Sequence, residues 1–348
     1  MGGPKPWPTR WPEPSKIPFD PDELQEPLAD PDYDIEVDPQ ETPARLPENQ
    51  LEPYSVTWGV THPCNLRCPH CYDTSKFPRT DLSTEQALTV IDRLAEIGIN
   101  FVVFSGGEPL LRRDLFTLME YCRERFVEIG MRSNGTLITS KVANQLAELE
   151  LSVAGISLDG ATAQSHDQIR GQGSFQRTMM GIKELVNADI RVNIEVVLSR
   201  RNVYEALACV QLAEDLGAEE INFSALAPQG LAQELNHAIL DHNGWQEITN
   251  TLSHASLTAK VVVSPSCALT GACWACVEPN ITNDGWVTPC YLSNQKLLHI
   301  LETPVQNIKD QLRQHRAATI NGCGRTIWTQ EAIPVILPQN YRFVDSTM

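Results

Sequence analysis

The sequence predicts an α/β protein built on a parallel sheet, and three observations carry that reading. Strand and helix patterns alternate regularly from about residue 54 to 226. The run FVVF at 101–104 is wholly apolar, as a parallel strand covered on both faces requires. Six such β units are present, too few for a full eight-unit barrel. An open partial barrel and a doubly wound sheet both satisfy this periodicity. In either, chemistry belongs on the loops that follow the C-terminal ends of the strands.

The elements follow from local signals. YSVTWGV at 54–60 alternates and is rich in β-formers. Ser83 and Gln86 form a capping box ahead of ALTVIDRLAEIG, where Leu88, Ile91, Leu94 and Ala95 recur at helical spacing and Gly98 closes the helix. Asp114 is placed to cap DLFTLMEYCRERF. Then come strand IGMRS, helix SKVANQLAEL, strand VAGISL, helix SFQRTMMGIKELV, strand IRVNIEVVL, helix NVYEALACVQLAEDLG and strand EEINFSAL. On the fifth strand Asn193 and Glu195 share one face. After about residue 240 the regularity ends. One helix near NGWQEITNTLSHA precedes a cysteine-rich region from 264 to 325.

The chain has 348 residues and a net charge of −17, from 27 Lys+Arg against 44 Asp+Glu. That balance argues against a nonspecific nucleic-acid or anionic-membrane binder, since both need a basic field. No run of about 18 apolar residues predicts a membrane span. The N-terminus lacks the apolar core of a secretory signal, so a cytoplasmic location is expected. Residues 1–50 hold 12 of the 24 prolines and carry 4 basic against 12 acidic residues, a net −8. They read as an extended, acidic, Pro-rich tail, or as a strap that docks through Trp7, Trp11 and Tyr33. The expected organisation is this tail, a core over 54–240, a cysteine-rich domain over 241–330 and a C-terminal tail over 331–348.

Ten cysteines in a cytoplasmic chain point to metal or redox chemistry more than to disulfides. Cys64, Cys68 and Cys71 lie in THPCNLRCPHCYD, directly after the first strand. Three thiolates on one loop can hold three corners of a metal cluster. A structural zinc would need a fourth ligand, which His62 or His70 could supply. A [4Fe–4S] cluster held by three thiolates instead leaves one iron open. Cys122 and Cys209 fall in apolar helical patterns and read as core residues.

The Cys-x3-Cys-x2-Cys loop resembles the signature of the radical S-adenosylmethionine (SAM) superfamily, with His70 at the position where the family carries an aromatic residue. FSGGEPLL, with Gly106, Gly107, Glu108 and Pro109, resembles the family's GGEP motif. RSNGT, SLDG and HDQIRGQGSF resemble later family stretches. The resemblance implies a partial (β/α)6 barrel, a SAM-cleaving [4Fe–4S] cluster on Cys64, Cys68 and Cys71, and SAM contacts from the GGEP turn. It implies further SAM contacts from Ser133, Asn134, Ser157, Asp159 and Arg170, the last pairing with the SAM carboxylate. Asp159 and Glu195 are the candidates for a catalytic base, with Asn193 and Glu195 within reach of SAM or substrate.

The stretch ITNDGWVTPC resembles the auxiliary-cluster (SPASM or twitch) domain of peptide-modifying radical SAM enzymes. It implies one auxiliary [4Fe–4S] cluster, with ligands drawn from Cys267, Cys273, Cys276, Cys290 and Cys323; zinc is the alternative. The implied function is maturation of a ribosomally made precursor peptide by crosslinking, epimerisation, thioether formation or excision. A separate leader-recognition protein and an electron donor such as flavodoxin or ferredoxin are the expected partners. The alternatives are a tetrapyrrole-modifying radical SAM enzyme and a non-catalytic iron–sulfur electron-transfer protein.

Overall fold

A computed structural model describes residues 55–72, 80–125, 127–254, 259–264, 279–290 and 295–319. The two tails and Cys267, Cys273, Cys276 and Cys323 lie outside the described residues. Seven parallel strands form the body: β1 (Ser55–Thr61), β2 (Phe101–Gly106), β3 (Glu128–Ser133), β4 (Val153–Ser157), β5 (Val192–Leu198), β6 (Glu220–Ala225) and β7 (Lys260–Ser264). Between them run α1 (Thr84–Ile97), α2 (Leu115–Glu124), α3 (Ser140–Glu148), α4 (Ala163–Arg170), α5 (Ser174–Asn187), α6 (Ala206–Leu216) and α7 (His242–His254).

The strands lie side by side in the order of the chain, β1 to β7, with no reversal. Crossovers of one hand in an unreversed sheet put the helices on one face. This decides between the two architectures left open by periodicity: a doubly wound sheet needs a switch point, and none is present here.

Local signals account for the helices. The Ser83–Gln86 capping box forms, and Gly98 ends α1 in the left-handed region at φ 98°. Asp114 precedes α2 but makes no side-chain cap. Its carboxylate is taken by the Arg112 guanidinium, with Nε–Oδ1 at 2.9 Å and Nη2–Oδ2 at 3.1 Å. Arg112 also donates to the carbonyls of Val60 and Leu82, so the charge pair is worth more there than the cap. The HDQIR stretch, left between elements by the sequence reading, is the helix α4, with its own Thr162–Ser165 capping box.

Burial alternates along β5 and β6 as the pleat requires, whereas β1 and β2 are buried along most of their length. On β5, Val192, Ile194, Val196 and Leu198 are buried in the core against the helices, while Asn193, Glu195 and Val197 occupy the helix-free face. Cys122 and Cys209 are in the same core, at 0% and 1% exposure. Trp58 is its largest member, fully buried with its ring 5.9 Å from that of Phe104.

The sheet continues past residue 240. α7 leads into β7, which pairs with β6, so the expected domain boundary at 240/241 falls inside the barrel. At the other edge, β8 (Asn280–Ile281) pairs parallel to β1 and turns through Thr282–Gly285 into β9 (Trp286–Thr288), beside which lies β10 (Leu298–His299). α8 (Val305–Thr319) follows. No helix among the described residues is long and apolar enough to cross a membrane.

Replacing Trp58 by Ala should cost about 3–5 kcal/mol, the usual range for emptying a buried aromatic site. Trp58→Phe should cost far less, because the buried indole N–H has no partner among the described residues to lose. Urea unfolding of the two variants measures the difference.

Candidate functional site

The cysteine loop leaves the C-terminal end of β1 and is fastened from three sides. The first fastening is backbone against backbone. Gly107 N–H donates to Thr61 O at 2.8 Å, and Glu108 N–H to Pro63 O at 2.9 Å. This approach needs both glycines. A Cβ on Gly106 would fall 2.4 Å from Thr61 O, and one on Gly107 2.3 Å from the carbonyl oxygens of His62 and Pro63. Gly106 also has φ +136°, open only to glycine. The glycines of the GGEP turn therefore serve the docking of the loop, besides any contact with a ligand.

The second fastening is Glu108. Its side chain is fully buried and accepts from Ser133 Oγ (2.8 Å), Asn134 N–H (2.9 Å) and Leu110 N–H (3.3 Å). Burial pushes its carboxyl up, and these donors offset only part of that rise. Asn134 passes the constraint on. Its Nδ2 donates to Asn65 Oδ1 at 2.9 Å, inside the cysteine loop, and lies 3.9 Å from Cys64 Sγ. Asn65 in turn donates to Thr136 Oγ1 at 2.8 Å. Ser133 and Asn134 are thus committed to holding the loop. Asn65 escaped the sequence reading; an amide between the first two cysteines was the available signal.

The third fastening is Asp159, also fully buried. Oδ2 receives Arg170 Nε at 2.5 Å and His70 Nε2 at 3.2 Å; Oδ1 accepts Val197 N–H at 2.8 Å. Against the cost of burial, Arg170 and then His70 hold this carboxyl well below the usual range. His166 accepts the Asp159 N–H at Nδ1 (3.2 Å), and burial lowers its imidazole to about 4, so it stays neutral. Arg170, expected at the SAM carboxylate, has its guanidinium on Asp159 within the protein.

The three cysteines are half-buried. Burial raises the Cys64 thiol, and raises Cys68 to about 11, with Cys71 and Cys64 adding to the latter as like charges. A bound metal cluster would hold these buried thiols as thiolates. His70 has its Nε2 on Asp159 and does not complete a zinc site. No fourth thiol among the described residues is near: Cys122 and Cys209 sit in α2 and α6, within the core. Cys290 follows β9, which runs back towards the N-terminal end of β1. The donor set therefore fits a cluster with one corner open.

The helix-free face is polar. Arg132, Gly155, Asn193, Glu220 and Lys260 align in one register row across β3–β7, and Ser157, Glu195 and Asn222 in the next. Asn222 Nδ2 donates to Glu220 Oε1 at 2.9 Å, and Lys260 pairs with Glu220. Asn193 Oδ1 is buried without a partner among the described residues. Burial raises the Glu195 carboxyl, with Arg132 opposing. The two base candidates thus differ: Asp159 is locked in an ion pair, whereas Glu195, its carboxyl raised by burial, stands beside Ser157. A small cleft opens at the end of β1 and β2, lined by Thr61, Tyr72, Ser105, Asn280 and Asn283 among others.

An unreversed partial barrel with a three-thiol loop at the top of its first strand defines the class. Residues 58–208 of the chain match the family model of the Radical SAM superfamily. Among curated proteins it is 33% identical over 219 residues to the AdoMet-dependent heme synthase of Methanosarcina barkeri, covering 62% of each chain. It is 38% identical over 180 residues to the mycofactocin maturase MftC of Mycobacterium tuberculosis, covering 51% of this chain and 46% of that one. The chain thus spans about half to three fifths of the length of these relatives. Among solved structures, Streptococcus suis SuiB bound to precursor peptide SuiA superposes with a TM-score of 0.64 at 15% identity, over 74% of this chain and 64% of that one.

Two predictions follow from these fastenings. Gly107→Ala should cost about 1–3 kcal/mol as an overpacked contact and lower iron uptake on anaerobic reconstitution, read by iron analysis. Asp159→Asn should cost about 3–5 kcal/mol at neutral pH, because it breaks a buried ion pair. The folded carboxyl lies below its unfolded value of about 3.9, so its contribution is present above that pH and fades below it. Urea unfolding at pH 7 and pH 3 should therefore show the gap between wild type and variant narrowing at the lower pH.

Proposed function

We propose that the chain is an enzyme that cleaves SAM reductively and uses the resulting 5′-deoxyadenosyl radical to modify a peptide. The observation that carries the first half is the open corner: three thiols on one loop, with no fourth in reach among the described residues. When bound and reduced, a [4Fe–4S] cluster on Cys64, Cys68 and Cys71 supplies the electron that breaks the SAM carbon–sulfur bond. Ser157, whose side chain has no hydrogen-bond partner among the described residues, is the proposed contact for the SAM methionyl or ribose groups, while Arg170 is engaged by Asp159. At the GGEP turn the Gly107 and Glu108 N–H groups are already used by the loop, so a SAM ammonium there would meet carbonyl oxygens.

The polar helix-free face supports a peptide as substrate. Arg132, Asn193, Glu195 and Asn222 offer the donors and acceptors that amide groups need. The likeness to MftC, named a maturase, and to SuiB, solved with a precursor peptide, points the same way. Glu195 is the proposed proton acceptor. An auxiliary [4Fe–4S] cluster on Cys290 and the cysteines at 267, 273, 276 and 323, a separate leader-recognition protein and a flavodoxin or ferredoxin donor complete the proposal.

A second reading is modification of a tetrapyrrole. It is favoured by the match to a heme synthase over 62% of the chain. Supplying the reduced protein in turn with the precursor peptide of a neighbouring reading frame and with an iron tetrapyrrole separates the two. SAM-dependent mass change of the peptide supports the first, and turnover of the tetrapyrrole alone replaces it with the second.

Iron analysis should give about eight irons per chain for two [4Fe–4S] clusters. Changing Cys64, Cys68 and Cys71 together to Ala should leave about four and abolish 5′-deoxyadenosine formation. Zinc in the remaining site would remove the auxiliary cluster from the proposal.

A further inference from the structure

We propose that Gly230, in the segment after β6, is a positioning residue that fixes the Cys71 end of the cysteine loop, so that closing of this segment and loading of the metal cluster favour each other. The coupling to loading rests on the proposal that a cluster binds the three cysteines; the role of Gly230 does not.

The three fastenings described above act on the start of the loop, from Thr61 to Asn65, and on its middle, at His70. None of these three involves Cys71 or Tyr72. There the segment after β6 meets the loop. Its 3-10 helix, Gly230–Ala238, begins against it, and Leu231 N–H donates to Cys71 O at 3.0 Å. The approach is as close as that of the GGEP turn. A Cβ on Gly230 would fall 2.4 Å from Tyr72 O and 2.6 Å from Cys71 O, and Gly230 has φ +59°, in the region that favours glycine. Both obstacles are backbone carbonyls, so no flexible side chain can turn aside to make room.

The segment is anchored apart from the main core. Leu226, Ala232 and Ala238 form a small apolar cluster, with Val197, Leu235 and Ile239 packed against it. Its far end is tied to the loop after β5. Arg200 N–H donates to Ala238 O at 2.8 Å, Arg200 Nε to Ile239 O at 3.0 Å, and Arg200 Nη2 pairs with Asp241 Oδ2 at 2.6 Å. A segment held by a small cluster and by surface bonds opens more readily than a core, and its opening releases Cys71 O. A cluster that fixes Cys71 in turn preserves the acceptor for Leu231 N–H and the seat for Gly230. Two events that hold the same backbone stabilise each other, and the coupling is reciprocal.

The test is hydrogen exchange of the full chain, read by mass spectrometry on peptides from 64–72, 227–238 and β2. The Leu231 amide reports on the segment, and the Cys71 amide, which donates to Cys68 O at 3.1 Å, reports on the loop. In the metal-free protein, Gly230→Ala should speed exchange in both 64–72 and 227–238 by about tenfold, the local opening that an overpacked contact produces, and leave β2 unchanged. Should that variant fail to fold, Leu235→Ala, which thins only the segment's own cluster, takes its place with the same expectation. Anaerobic loading of the wild type with iron and sulfide should slow exchange in 227–238, and the variant lacking Cys64, Cys68 and Cys71 should show no slowing. Faster exchange confined to 227–238, or spread evenly over the chain, would overturn the inference. So would iron bound at the three cysteines with 227–238 unchanged. A wild-type chain that takes up no iron would instead sink the cluster proposal, and the metal-free measurements would still decide the role of Gly230.

Discussion

The site depends on one contact between two stretches of backbone. The end of β2 lies so close to Thr61–Pro63 that Gly106 and Gly107 have no room for a Cβ, and the main-chain bonds from Gly107 and Glu108 close the gap. A loop of three cysteines has little else to fix it. It carries few apolar side chains, of which only Leu66 is buried among the described residues. Its position is therefore set by polar groups, and each must be satisfied where it is buried.

Two buried carboxylates meet that requirement in different ways. Glu108 is surrounded by neutral donors from Ser133, Asn134 and Leu110, and links β2 to the loop after β3. Asp159 is matched with the charge of Arg170 and a hydrogen bond from His70, and links β4 to α4 and the cysteine loop. The neutral arrangement suits rigid support. The ionic one places a cation where thiolates would gather, which an aromatic ring at residue 70 could not help to do.

Much of this was legible in the sequence. Periodicity gave six of the seven parallel strands, and Ser83, Gln86 and Gly98 marked α1 at both ends. β7 was missed because KVVVS follows an irregular stretch, where the regular alternation had already lapsed. Asp114 was read as a cap from its place alone; the pairing with Arg112, two residues earlier, competes for the same oxygens. The candidate residues after the strands do converge on one end of the sheet. What sequence could not separate was ligand contact from loop support. Ser133, Asn134 and Glu108 carry the same residue types in either role, and only their hydrogen-bond partners tell them apart.

The same register argument bears on how many metal centres the chain can build. β8 is level with Thr57 and Trp58, and β9 returns from there towards the start of β1. Cys290 lies beyond β9, while Cys64 lies beyond Thr61. From Thr57 to Thr61 alone β1 spans about 13 Å at the usual rise per residue. A cluster core is far smaller than the separation this implies, so Cys290 cannot serve as the fourth thiolate of the first site. Cys290 follows a hairpin hydrogen-bonded to the strand that leads into the cysteine loop. That hairpin is also clasped to the cysteine loop, because Asp81 accepts from Thr61, His62 and Asn283. The hairpin that carries Cys290 and the loop that carries Cys64 are thus joined through one strand and one carboxylate.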